Sequence, residues 1–338
     1  MNKRHEALFS RLSNACGVSG YTSEVSTIFK EIAGGYGLQC GMDSMGSVSA
    51  VLQPKEVSGF SRNRIMISAH LDTVGYIVAE KEDDTGTLKL YKVGLPSLEG
   101  TTNGIIKTST GRLFVKIEDK GIDEYTALVI LEDKKDILKV EIGDPVFYNN
   151  SLIASPKGKF TAAFMDNRAS ILIMLMAMEK IIKAGTTINT LFFVLTEFEE
   201  IGGYGAIAAT NKIKPSFAIN LDVFPVEKKS HLSFGTAISR GMIYNPILVN
   251  YAISLAKKYK IPYELKATSP ENESNSNFIL PQNGGTPCCE IGPPCVNIHL
   301  PNEIVSKKSL DSTADLLTYM CLSSHTIKNL IPGEEDGM

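Results

Sequence analysis

The sequence contains no tryptophan and only five histidines, and its 34 basic residues nearly balance its 37 acidic ones. With a net charge of −3, the chain lacks the basic excess that attracts nucleic acid or anionic lipid. No uninterrupted apolar run approaches the roughly 18 residues that a membrane helix needs. These absences argue against a nucleic-acid partner and against a membrane partner, and we expect a cytoplasmic protein.

Cysteine is also scarce, with six residues in a chain of 338, which is too few for a disulfide framework. Cys288 and Cys289 are adjacent, which disfavours a bond between them. Cys289 and Cys295 have no second pair at a zinc-binding spacing. We therefore expect reduced, packed thiols.

Apolar, β-rich segments alternate with helical ones through much of the chain. The runs at 64–70, 189–196 and 216–221 have the composition of buried parallel strands. The stretch at 169–183 is apolar on almost all sides, which is typical of a helix packed against a sheet. This alternation predicts an α/β fold with a mainly parallel sheet sandwiched by helices.

Residues 76–157 show a different pattern. Short β-prone pieces are separated by glycine, aspartate and asparagine, and no helical period is evident, which predicts a small β-barrel. The α/β pattern resumes afterwards. We therefore expect a main domain formed by residues 1–75 and 158–338, with the β-barrel at 76–157 inserted into it.

Histidines and aspartates follow several apolar runs. His70 ends the first run and Asp72 lies two positions later. On an extended chain these two residues share a face, so Asp72 could accept a hydrogen bond from His70 and leave the other ring nitrogen free for a metal. Asp222 and His299 follow two further runs. Parallel strands bring such positions to one edge of a sheet.

Acidic residues add to this set. Glu197, Glu199 and Glu200 directly follow the strand at 189–196, and carboxylates so close repel one another unless cations are near. Asp166 opens the long helix, where it could also be an ordinary helix cap. Two imidazoles and three carboxylates suit two borderline divalent ions such as zinc, cobalt or manganese. The candidate metal ligands are His70, Asp166, Glu200, Asp222 and His299.

Five segments, in chain order, resemble those of one known family. They are SAHLDTVG at 68–75, DNR at 166–168, EEIGGYGA at 199–206, LDV at 221–223 and IH at 298–299. This pattern is similar to that of the tetrahedral aminopeptidases, metallopeptidase family forty-two, and the likeness spans nearly the whole chain. The interval between His70 and Asp166 leaves room for an early inserted domain. The shorter interval between Asp222 and His299 does not accommodate the large late insertion of the carboxypeptidase-like relatives.

The resemblance implies a metal-dependent aminopeptidase that releases amino-terminal residues from peptides by means of two divalent ions, zinc or cobalt. It assigns His70 and Asp222 to one ion, Glu200 and His299 to the other, and Asp166 to both. Glu199 would be the general base, and Asp72 would be the second catalytic residue. Related di-zinc peptidases hold the bond after the bridging aspartate in the cis form, so we expect a cis bond between Asp166 and Asn167. The inserted barrel would help to build a homo-oligomer, possibly a dodecamer.

Two departures from the family pattern bear on substrate preference. Family members commonly carry Gly-Thr-Asp-Ala before the last ligand, where this chain has the segment Glu273 to Asn277, and an arginine where it has Asn297. Because Asn297 lies two positions before His299, we expect it to face the same cleft.

Two alternatives stay open. The same ligand set would serve a deacylase or amidase acting on N-acyl amino acids, and a non-catalytic shell protein could keep the fold. A screen of peptides against N-acyl amino acids distinguishes the first alternative. Crowded carboxylates argue against the second, because a scaffold has no need of them.

Overall fold

The structure, a computed structural model, describes residues 1–54, 63–98, 100–119, 126–149, 151–185, 187–268, 274–324, 327 and 330. Within them the α-helices are α1 (Lys3–Asn14), α2 (Ser23–Gly35), α3 (Met165–Ala184), α4 (Tyr204–Ile213), α5 (Pro246–Lys258), α6 (Asn275–Ile279) and α7 (Lys307–Ser323).

The strands form two sheets and a barrel. They are β1 (Gln39–Met42), β2 (Val48–Leu52), β3 (Arg64–His70), β4 (Gly75–Glu82), β5 (Thr87–Val93), β6 (Gly100–Thr108), β7 (Gly111–Asp119), β8 (Thr126–Ile130), β9 (Pro145–Tyr148), β10 (Ile153–Ala154), β11 (Lys159–Ala162), β12 (Thr190–Thr196), β13 (Phe217–Leu221), β14 (Phe224–Pro225), β15 (Thr236–Arg240), β16 (Tyr263–Ala267), β17 (Cys288–Gly292), β18 (Pro294–Val296) and β19 (Glu303–Ser306).

The main sheet has eight strands in the order β1-β2-β12-β3-β13-β17-β15-β16. Its centre is parallel, since β12, β3, β13 and β17 pair with their neighbours in the same direction. The outer strands β1 and β2 run antiparallel. Four strands therefore present their carboxyl ends at one edge, where an α/β sheet binds its ligands.

Helices cover both faces of this sheet because the central strands are apolar on both sides. In β3, Ile65 and Ile67 pack in the larger core with α1, α3 and α7, whereas Met66 lies in a smaller core with residues of α4. Helix α3 is buried around most of its circumference, as the apolar stretch at 169–183 predicted. A layered α/β fold with a parallel centre is confirmed.

A second, five-stranded sheet has the order β10-β11-β19-β18-β14. Its strand β11 leads directly into α3, and its strands β18 and β19 flank the turn that carries His299. The antiparallel pairing of β11 with β19 sets Ala162 opposite Glu303. This sheet therefore brings the start of α3 close to the turn before β19.

The six strands β4 to β9 close into a barrel in the order β4-β5-β8-β7-β6-β9. The barrel has its own apolar core, which includes Tyr76, Leu90, Ile117 and Val146. The predicted small β-barrel is confirmed, while the division into domains at 76–157 stays a prediction. Residues 99, 120–125 and 150 of that range lie outside the described residues. No helix in the described part of the chain is long and apolar enough to cross a membrane.

Gly292 provides a test of how closely β13 and β17 pack. A Cβ at this position would lie 1.5 Å from the carbonyl oxygen of Asp222, and a backbone atom cannot rotate away. We expect Gly292→Ala to destabilise the protein by about 1–3 kcal/mol or more, because the strand ends must separate.

Thermal and urea unfolding of the variant measure this effect. Gly34→Ala is the matched control, because Gly34 lies in α2 with no atom within 4 Å of an added Cβ. In a helix that change stabilises by about 0.5–1 kcal/mol. If Gly292→Ala were as stable as Gly34→Ala, the described contact between the two strands would be wrong.

Candidate metal centre

The carboxyl ends of three parallel strands supply half of the centre. His70 is the last residue of β3 and is paired with Thr196, the last residue of β12. The acidic turn at 197–200 follows Thr196 directly, and Asp222 follows the end of β13. Because β12, β3 and β13 are neighbours, these side chains meet at one edge of the sheet.

The second sheet supplies the other half. Asp166 lies at the start of α3, and His299 lies in the turn between β18 and β19. The peptide bond between Asp166 and Asn167 is cis, as predicted.

Asp166 stands between two groups of side chains. Its Oδ1 lies 2.9 Å from His70 Nε2, and the same nitrogen lies 3.6 Å from an oxygen of Asp222. Its Oδ2 lies 3.6 Å from His299 Nε2, which is 3.4 Å from an oxygen of Glu200. The two oxygens of one carboxylate thus face two different histidine–carboxylate pairs.

Each group could hold a metal ion. One triad is His70, Asp166 and Asp222, and the other is Asp166, Glu200 and His299. In each triad the potential ligand atoms lie within 4.8 Å of one another. The five residues proposed from the sequence therefore converge in the fold. Glu199 lies beside them, with an oxygen 3.9 Å from His70 Nε2.

Asp72 acts differently from the sequence-based expectation. His70 Nδ1 lies 3.0 Å from the main-chain oxygen of Asp72, whereas the nearer carboxylate oxygen is 3.8 Å away. The expected side-chain bond is therefore wrong, although the carbonyl serves the same purpose of leaving Nε2 free. The carboxylate is occupied elsewhere, because it accepts from the N–H groups of Glu199 and Glu200 and from the hydroxyl of Ser19.

Glu303 is a residue that the sequence analysis missed. Its two buried oxygens accept hydrogen bonds from the N–H groups of Asp166 and His299, each at 2.8 Å. One carboxylate thereby ties together the main chain of two candidate ligands that lie far apart in sequence. A glutamate directly before the apolar pair Ile304 and Val305 was the available signal.

Electrostatic crowding is the main property of the centre. Burial, followed by neighbouring charges, raises the pKa of Glu199 and Glu200 well above the usual range and that of Asp222 to about 7. Burial alone would lower the pKa of His70, but Glu199, Asp166 and Asp222 raise it well above its ordinary value. So many buried acidic groups in one place indicate a site for cations.

Arg168 is a fully buried cation behind the centre. It donates to the main-chain oxygen of Leu71 at 2.6 Å, and burial lowers its pKa to about 10. Glu197 is also buried, and this burial, with Asp72 nearby, raises its pKa to about 7. Glu197 accepts from the N–H of Gly20 and from the hydroxyl of Thr22. It therefore holds the amino-terminal loop against the acidic turn. Glu197 is not among the described residues that line the cavity.

The centre opens into a cavity of about 520 Å³. Besides the six candidate residues that line it, the wall includes Val223, Ile298, Ser274, Glu290 and Leu95. Leu95 comes from the turn after β5 of the barrel and is 69% exposed. From the same turn, Ser97 N–H donates to the main-chain oxygen of His299 at 3.0 Å. The barrel therefore forms part of the wall.

We expected Asn297 to face the cleft, but it is not among the described residues that line the cavity. Strand β18 ends at Val296, and both Asn297 and His299 have positive φ angles of 62° and 66°. The rule that residues two apart share a face applies only to extended chain. The side-chain amide of Asn297 instead donates to Asn302. Glu273, at the start of the other departure, lies outside the described residues.

Comparison with known proteins gives the same fold. A lysyl aminopeptidase from Pyrococcus furiosus is 23% identical over 340 residues, which cover 91% of this chain and 94% of the relative. A TET aminopeptidase from a marine sediment archaeon, Thaumarchaeota, has a TM-score of 0.85 at 24% identity, covering 95% of this chain and 97% of its own.

A second solved structure, the TET1 peptidase of Pyrococcus horikoshii, has a TM-score of 0.81 at 19% identity and covers 94% of this chain and 99% of its own. The family model described as M42 glutamyl aminopeptidase matches residues 46–316, which is most of the chain. The protein therefore belongs to the M42 glutamyl aminopeptidase family, as its motifs predicted, and is a peptidase.

Proposed function

We propose that the chain is an aminopeptidase that uses two divalent ions, held by His70 and Asp222 on one side, by Glu200 and His299 on the other, and by Asp166 between them. The observation that carries the proposal is the position of Asp166, one of whose oxygens lies 2.9 Å from His70 Nε2 and the other 3.6 Å from His299 Nε2. A plain helix cap would need only one oxygen, directed at the helix N–H groups.

The spacing of the ligand atoms supports this assignment. Atoms that share a tetrahedral ion at bonds of about 2.0–2.2 Å lie about 3.3–3.6 Å apart. Three of the four separations, at 3.6 Å, 3.6 Å and 3.4 Å, agree with that range. The fourth, from His70 Nε2 to Asp166 Oδ1, is 2.9 Å and is a hydrogen-bond distance. The mixture of imidazole and carboxylate suits zinc or cobalt. Two ions would also offset the repulsion among the buried carboxylates.

Glu199 is the proposed general base. Two bound divalent ions would polarise the scissile carbonyl and lower the pKa of water at the centre. Glu199 lines the cavity next to this centre and can take a proton from water and return it to the leaving amine. Its main-chain N–H is held by Asp72 at 3.0 Å. Asp72 therefore positions both the base and, through its carbonyl, the ring of His70.

The substrate is proposed to be a peptide with a free amino terminus. This follows the names of the relatives, which are aminopeptidases, and the cavity is large enough for a first residue and its peptide bond. A panel of aminoacyl p-nitroanilides against N-acyl amino acids separates this activity from that of a deacylase.

Glu199→Gln tests the base. We expect kcat to fall about 10²–10⁴-fold, because the amide cannot accept the proton, while the metal content stays that of the wild type. Steady-state kinetics on a leucine or lysine p-nitroanilide and elemental analysis measure the two quantities. Glu227→Gln is the matched control, because Glu227 is exposed and lies outside the cavity. Full turnover by Glu199→Gln would remove its role.

Metal removal tests the ligand set. We expect two ions per chain by elemental analysis, loss of hydrolysis after chelation, and recovery on adding zinc or cobalt. Chelation should also lower the melting temperature, since an ion at 100 times its Kd stabilises the native state by about 2.7 kcal/mol.

Single histidine variants separate the two ions. His299→Ala should retain one ion per chain, whereas His231→Ala, altered outside the cavity, should retain both. Undiminished activity and melting temperature after complete chelation would contradict the metal proposal.

A homo-oligomer, possibly of twelve subunits, is the proposed assembly. The TET1 peptidase of Pyrococcus horikoshii can assemble into a tetrahedron or a large octahedral shell. Several large apolar side chains of the barrel and the loop before β9 are exposed in this chain, including Phe114, Leu138 and Ile142. Native mass spectrometry at micromolar concentration should show an assembly larger than the 36.8 kDa chain. A monomer under those conditions would contradict this expectation.

A further inference from the structure

Glu290 is a carboxylate in the cavity wall that the proposed reaction does not use. It lies in the middle of β17, is 2% exposed, and is paired with Asn220 of β13. Five neutral groups donate hydrogen bonds to it: Asn220 Nδ2 at 2.9 Å, Ser274 Oγ at 2.6 Å, Ser276 Oγ at 2.7 Å, Tyr244 Oη at 3.0 Å and Ser239 Oγ at 3.4 Å.

These donors satisfy the oxygens of Glu290 without bringing a positive charge. In the described residues no lysine or arginine forms an ion pair with it, and none lines the cavity. Its negative charge is therefore balanced by dipoles alone. In a buried site, a charge of this kind acts on any ligand that enters.

Ser274 links Glu290 to the cavity by a hydrogen bond. Ser274 lines the cavity, and its hydroxyl gives its hydrogen to Glu290 at 2.6 Å. A hydroxyl that has donated its hydrogen can only accept from other groups. Ser274 Oγ also accepts from the N–H of Ser276 at 3.2 Å, which leaves one lone pair for a ligand. The wall at this point therefore offers that lone pair and a buried negative charge, both of which favour an ammonium or guanidinium group.

The charges of the other side chains that line the cavity also favour a cationic ligand. Five carboxylates line the cavity, those of Asp166, Glu199, Glu200, Asp222 and Glu290. Two divalent ions would bring four positive charges against these five. Val223 and Ile298 add apolar surface, which suits the methylene stem of a lysine side chain.

We propose that Glu290, acting through Ser274, makes the cavity select peptides whose first residue has a cationic side chain and reject those with an acidic one. This inference rests on the proposed aminopeptidase activity and specifies its substrate class. An acidic side chain in the same position would be desolvated opposite Glu290, with no described lysine or arginine in the wall to receive it.

Two pairs of substrates of matched shape test the proposal. Lysine and norleucine p-nitroanilides have side chains of similar length that differ in charge, and so do the glutamate and glutamine compounds. In the wild type we expect kcat/KM to be about 10- to 100-fold higher for lysine than for norleucine, and higher for glutamine than for glutamate. In Glu290→Gln both ratios should move towards one.

Further variants separate charge from structure. Ser274→Ala should lower the lysine to norleucine ratio without altering the net charge, and Glu227→Gln should leave both ratios unchanged. Cleavage of the panel with no preference for lysine over norleucine in the wild type would overturn this proposal alone. So would ratios that stay the same in Glu290→Gln. Failure to cleave any of the four compounds would overturn the aminopeptidase proposal as well.

Discussion

Two buried carboxylates, Asp72 and Glu303, set the positions of the groups around them. Asp72 accepts from the N–H groups of Glu199 and Glu200, and its own carbonyl holds the ring of His70. Glu303 accepts from the N–H groups of Asp166 and His299. Each buried N–H left without a partner would cost about 1–3 kcal/mol, so these bonds strongly favour one arrangement of the turns. The cleft is thus built from main-chain hydrogen bonds as much as from the side chains that face it.

Much of the fold could be predicted because its signals are local. The sequence pattern predicts the strand at 64–70 and the apolar helix after Asp166, and the short β-prone pieces predict a barrel. The order of the strands could not be read in this way, because it depends on pairings between distant segments. The second sheet, which joins β11 to β19, was missed for that reason.

The residues of the site were likewise predictable where their signals are local and were missed where they depend on distant segments. His70 and Asp222 could be found because they follow strands whose ends meet at one edge, whereas the roles of Glu199 and Glu200 came from the family resemblance. Asn297 was placed wrongly because its left-handed backbone breaks the alternation of an extended strand. Glu290 was overlooked, since a single acid inside the apolar segment Cys288–Gly292 shows its surroundings only once Asn220 and Tyr244 are folded around it.

The barrel lies between the first and second candidate ligands in the chain, and Ser97 of its β5–β6 turn holds the main chain of His299. The main chain at His299 keeps the described position only while this turn is folded against it, because Ser97 supplies the N–H that its carbonyl accepts. A substitution in the barrel that shifts this turn would therefore alter the candidate metal centre without changing any of its ligands.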